Sequence, residues 1–143
     1  MGRDVALPPW IRVTRLYNPE VEMRAFSAAE ADYLESQRLG RLATVGKDRS
    51  PQVVPVGFRL NRELQTIDVG GHSLARTKKY ADVAREGRAA IVIDDVLPPW
   101  RPRGIEVRGR AEVLAHGGEA FGRGWAPEII RIWPEKVRVW GLE

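Results

Sequence analysis

IEVRGRAEV, residues 105–113, alternates without a break. Ile105, Val107, Gly109, Ala111 and Val113 are apolar or small, and Glu106, Arg108, Arg110 and Glu112 between them are all charged. Successive side chains of an extended strand point to opposite faces, so this strand puts one face in a core and the other in water. Upstream, residues 89–93 are a continuous apolar run, which predicts a strand buried on both faces. The Pro-rich DDVLPPWRPR (94–103) between them reads as a loop. Downstream, the glycine-rich HGGEAFGRGW (116–125) reads as a loop without a recognisable motif. Residues 128–133 and 136–142 read as two strands broken at Pro134.

The first half of the chain follows the same grammar. Strands are predicted at 41–45, 52–60 and 64–69, separated by GKDRSP and by Asn61-Arg62-Glu63. Ser27 and Glu30 form a capping box, with Phe26 placed to staple onto Ala31, which predicts a helix to about Arg38. A second helix is predicted over 74–86, stopped by Gly87, with Tyr80, Val83 and Ala84 facing the sheet. Six or seven short strands and two short helices make a mainly β protein. Strands this short, mostly joined in sequence, suit a closed or partly closed antiparallel barrel.

Residues 1–22 (MGRDVALPPWIRVTRLYNPEVE) show little periodicity and three prolines. They are expected to be an extension outside the domain at 23–143, with Met23 an alternative start. LPPW occurs at 7–10 and again at 97–100, which is too short to count as a repeat. At 143 residues the chain is long enough for one domain. The absence of cysteine removes disulfides and thiolate metal sites, and His72 and His116 alone do not suggest a metal centre. No apolar run approaches the ~20 residues of a membrane span, so a cytoplasmic protein without a membrane partner is expected.

The net charge of +4 is modest, but the basic residues are bunched. In GGHSLARTKKY (70–80), a glycine pair leads into what reads as a helix start carrying Arg76, Lys78 and Lys79. A helix start already carries partial positive charge, so cations there are of the wrong sign unless an anion binds. Arg76, Thr77 and Lys78 therefore make a candidate phosphate site, and a solvated basic face is the competing reading. Tyr33 and His72 are the two candidate proton donors, each with a plain structural alternative. Asp68, His72 and Ser73 have the residue types of a hydrolase triad without any sign of its geometry.

Four stretches, in this order and spacing, resemble one family: LGRLATVGKDRSPQVVPVGFRL, ARTKKYADVAREGRAAIVIDD, WRPRGIEVRGRAEVL and EIIRIWPEKVRVWGL. They are similar to the split-barrel superfamily of pyridoxamine 5′-phosphate oxidase-like proteins, and within it to the deazaflavin-dependent reductases that use coenzyme F420. The resemblance covers residues 26–143. It implies a six-stranded antiparallel split β-barrel (the FMN-binding split barrel) acting as a homodimer, with cofactor grooves between subunits. It also implies that Arg76, Thr77 and Lys78 meet the cofactor phosphate, and that Gln52, Val54, Pro55 and Val56 run along the ring. Trp100 would cover the groove, Trp140 would close it from the neighbouring chain, and Arg101 and Arg103 would reach an acidic tail.

The implied reaction is hydride transfer from reduced F420 to an electron-poor double bond of a planar conjugated small molecule. No catalytic residue is assigned. An FMN-dependent oxidase or reductase of the same fold is the first alternative, and a haem-handling split barrel a more distant one. A nucleic-acid-binding β-barrel is the alternative from another class, although the basic residues do not follow one strand face. Two positions depart from the family pattern. Asp48-Arg49 stands where relatives have Asp-Gly, which predicts a strained or longer turn, and Leu74 stands near where some relatives carry a second arginine.

Overall fold

The structure is a computed structural model that describes residues 24–142 in full and residues 12–16 by their backbone. The second LPPW therefore has a described structure. The first, with Met23, lies outside the described residues.

Among the described residues, seven strands and two α-helices follow in the order β1 (Arg12–Leu16), α1 (Ala28–Ser36), β2 (Leu39–Val45), β3 (Pro51–Asn61), β4 (Thr66–Gly70), α2 (Lys78–Glu86), β5 (Arg88–Leu97), β6 (Arg101–Leu114) and β7 (Ile129–Trp140). Every pairing is antiparallel. The order β7-β4-β3-β2-β5-β6 returns to β7 and closes a six-stranded barrel. β1 joins β7 on the edge it shares with β4: β4 pairs with Ile130–Ile132, and β1 takes Lys136–Val139. A strand thus lies within the segment read as an extension.

The alternation at 105–113 holds. Ile105, Val107 and Ala111 point into a core with Leu42, Ile67, Ile91, Ile132 and Val137. The α1 capping box is present in both directions, Glu30 N–H to Ser27 Oγ at 3.2 Å and Ser27 N–H to Glu30 Oε1 at 3.0 Å. Phe26 and Ala31 are both buried beneath it.

Several expectations are corrected. Residues 128–142 are not two strands, because β7 runs through Pro134 unbroken. Pro134 pairs with Gly109 where the β6 register shifts, and at a bulge a missing N–H removes no ladder bond. The Pro-rich segment is mostly strand, with only residues 98–100 turning between the paired Leu97 and Arg101. β5 is not buried on both faces: its residues alternate, with Ala90 and Val92 half-buried outward.

The second helix begins at Lys78, since residues 74–76 form a separate 3-10 turn. Its buried face carries Asp82 and Val83, with Ala84 exposed. Asp82 is accommodated there because Thr44 Oγ1 donates to it at 3.0 Å and Arg85 at 3.0 Å. The strained first turn is confirmed: Arg49 adopts φ +68°, a conformation that glycine would take without penalty. Among the described residues, no helix is long and apolar enough to cross a membrane.

Candidate functional site

β3 changes partner at Gly57. From Pro51 to Gly57 it pairs with β2, and from Gly57 to Asn61 with β4. Residues 51–56 therefore have no β4 neighbour and form an open edge about 20 Å long at roughly 3.3 Å per residue. Two prolines, Pro51 and Pro55, sit on it, as proline in a sheet requires. Gln52, Val54 and Val56 continue the face that carries Phe58 and Leu60 into the core. Val56 is buried and Val54 is 37% exposed. Pro55 is exposed on the opposite face beside Val53, which is 69% exposed.

One end of this edge is cationic. β4 leaves β3 at Gly70, opposite Gly57, and the chain then heads toward the Pro51 end and into α2. The C-terminal half of α2 is fixed against the end of β2, because Arg85 donates to the Val45 carbonyl at 2.7 Å as well as to Asp82. Lys78 also reaches the field of Asp48 in the β2–β3 turn. The Asp48 carboxyl is held below its usual range first by the Ser50 hydroxyl and amide, with Lys78 adding to the effect. Gln52 Nε2 donates to Ser50 Oγ at 3.3 Å, which places Gln52 in the same cluster.

Thr77 is the N-cap. Its hydroxyl donates to the Leu74 carbonyl at 2.6 Å and accepts from the Tyr80 N–H at 3.4 Å. That hydroxyl is committed to the backbone. For an anion the site offers the exposed Arg76 and Lys78 side chains, neither in an ion pair among the described residues, and the first two amides of α2. Burial lowers the pKa of the neighbouring Lys79.

The other end is aromatic, and sequence reasoning missed it. Phe121 and Trp125, from the glycine-rich loop, stack with centroids 4.8 Å apart. They sit on Gly70 and Gly57, which face each other across β3 and β4. The available signal was two aromatics in a glycine-rich loop together with two bare glycines at the point where strands separate.

Trp100 and Trp140 do not join this edge within the chain. Trp100 stands 75% exposed at the tip of the β5–β6 hairpin. Trp140 is 9% exposed, and an added Cβ at its register partner Gly104 would lie 2.8 Å from Trp140 Cε2. Arg103 is already engaged, bonded through two nitrogens to Asp95 at 2.7 and 2.9 Å, and Arg101 Nε donates to the Pro98 carbonyl at 3.3 Å.

Tyr33 is a packing residue. Its hydroxyl donates to Asp95 at 2.9 Å, and burial, then Asp95, pushes its pKa far above the usual phenol range. Asp68, His72 and Ser73 form no triad. Asp68 is buried under Arg131, Thr66 and Asn61, while His72 Nδ1 bonds the Gly124 carbonyl at 2.8 Å.

A closed barrel whose third strand exchanges partners halfway is a split barrel. The chain belongs to the pyridoxamine 5′-phosphate oxidase family, whose sequence profile matches residues 26–140, and it is an oxidoreductase of that fold. It is 39% identical over 120 residues to the 5a,11a-dehydrotetracycline/5a,11a-dehydrooxytetracycline reductase of Streptomyces rimosus, covering 82% of this chain and 84% of the relative. In structure it resembles a conserved hypothetical protein of Mycobacterium tuberculosis, with TM-score 0.66 and 20% identity over 84% of this chain and 88% of that one. It also resembles an FAD binding protein of Mycobacterium smegmatis, with TM-score 0.59 and 20% identity over 80% and 95%.

Proposed function

We propose that this chain, as a homodimer, reduces an electron-poor double bond of a planar conjugated small molecule with coenzyme F420. The observation that carries the reading is the open β3 edge running from an apolar stretch to the paired cations Arg76 and Lys78. A cofactor with a flat ring and a phosphate on a ribityl arm has that same polarity, and about 20 Å of edge is long enough for both. The Streptomyces reductase supplies the reaction class.

Bound there, the reduced deazaflavin supplies a hydride. Arg76 and Lys78 hold the phosphate by charge-assisted hydrogen bonds, supported by the first α2 amides. Thr77 contributes by holding the helix start in place. Gln52, Val54, Pro55 and Val56 present a rigid strand to the ring, and the partner subunit completes the groove with Trp100 and Trp140. Tyr33, locked on Asp95, does not deliver the proton that follows the hydride.

The likeness to an FAD binding protein favours flavin as the second reading, with FMN taking the same phosphate contacts. Fluorescence titration of the purified protein with oxidised F420 and with FMN distinguishes the two. Tight saturable binding of F420 with weak FMN binding is expected. Preference for FMN would keep the fold and the phosphate site and replace the proposed chemistry.

A further inference from the structure

We infer that Trp125 and His72, backed by Phe121, form a stacking wall that selects a flat, hydroxylated, multi-ring acceptor. This rests on the reductase reading for the reaction and adds the residues that recognise the substrate.

The wall is built on bare backbone. An added Cβ at Gly57 would lie 2.7 Å from Trp125 Cη2, and one at Gly70 would lie 2.9 Å from Phe121 Cδ2, so both rings lie directly on the strands. The His72 ring stands 5.1 Å from that of Trp125, tilted by 30°. The chain is tied on both sides of Trp125: His72 bonds the Gly124 carbonyl, and the Ala126 N–H donates to the Gly71 carbonyl at 2.8 Å. Gly124 takes φ +90°, a conformation that a side chain would strain.

These contacts fix the rings without covering them. Trp125 and Phe121 remain half-buried and His72 exposed. An aromatic that is immobilised yet accessible loses little freedom when a flat ligand stacks on it, which favours binding. The wall adjoins the open edge, since Pro55 and Val53 follow Gly57 on the same outward face of β3 and are exposed and apolar. Stacking alone selects any flat molecule; His72 narrows the class. A carbonyl can only accept, so Nδ1 carries a proton, and in the singly protonated imidazole Nε2 is left as an acceptor. That atom suits a phenolic or enolic hydroxyl at the edge of the ring system.

Calorimetric titration with oxytetracycline, a hydroxylated tetracycle, tests the wall without turnover. The unmodified protein is expected to bind it saturably, and Trp125→Phe to stay within about threefold. Trp125→Leu keeps apolar volume but no ring, and should weaken binding at least tenfold with little change in Tm or in the Kd for F420. His72→Phe should keep the stack and weaken binding several-fold. No saturable binding by the unmodified protein, or unchanged binding by Trp125→Leu, overturns the inference. Loss of F420 affinity in Trp125→Leu equal to its loss of tetracycle affinity also overturns it, by assigning the wall to the cofactor. Failure of the unmodified protein to bind F420 counts against the reductase reading alone, because the tetracycle titration is run without cofactor.

Discussion

Arg103 binds Asp95 through two nitrogens, lies 4.9 Å over the Tyr33 ring, and accepts the Tyr33 hydroxyl at its own carbonyl at 3.3 Å. Hydrogen bonding from Arg103 is the largest cause holding the Asp95 carboxyl below its usual range. A carboxyl with a depressed folded pKa contributes stability that is present above its unfolded value, about 4, and lost as pH falls through the folded value. Asp95→Asn should therefore flatten the loss of Tm between about pH 5 and pH 3. Tyr33 has the opposite sign. Its raised pKa means that stability declines as pH rises above about 10, and Tyr33→Phe should remove that alkaline component.

At Arg76 the expectation concerns binding. The side chain is exposed and makes no ion pair among the described residues, so Arg76→Ala should leave Tm unchanged. F420 affinity should fall by about 1.5–3 kcal/mol, roughly ten- to a hundredfold. Unchanged affinity would remove Arg76 from the phosphate site.

Helix α2 shows how an element can be stable and poorly charged at once. Its first turn holds no acidic residue, yet Thr77 caps it, and Gly87 closes it in the left-handed conformation at φ +71° with its N–H on the Val83 carbonyl at 2.8 Å. Nothing lies within 4 Å of a Cβ at Gly87, so Gly87→Ala isolates the backbone cost. About 1 kcal/mol is expected, seen as a few degrees of Tm. Thr77→Ala should cost a similar amount, about 1 kcal/mol, and should also weaken F420 by loosening the start of the helix.

The elements were unevenly legible. α1 could be read because its cap is local chemistry, and β6 because one face is dry and the other charged. The start of α2 was misplaced because residues 74–76 have helical composition, and only Thr77 spending its hydroxyl on both sides shows where the helix begins. β7 was cut at Pro134 because only its register against β6, which leaves Glu135 as an extra residue of β7, shows the bulge that tolerates the proline.

For the whole molecule, ring closure leaves residues 51–56 of β3 without a partner on one side, with Val53 and Val54 exposed there. An exposed apolar edge invites pairing with another chain. On the proposed reading, a second copy covers it and the cofactor lies in the seam. Analytical ultracentrifugation should find two chains per particle, and Val53→Lys should shift the population toward single chains while weakening F420. A monomer that binds F420 tightly would refute the shared groove.

Periodicity, capping and turn chemistry were enough to establish a small β-rich domain with two helices, because those signals act between neighbours in sequence. The order of motifs was enough to place it in its family. A barrel was expected from the short strands and the family resemblance, but the exchange of partners at Gly57 came only with tertiary structure, as did the seating of Trp125 and Phe121 on two glycines. Each joins residues far apart in the chain: 68 positions separate Trp125 from Gly57, as 125 − 57. A glycine carries no side chain whose pattern could announce the ring that will rest on it.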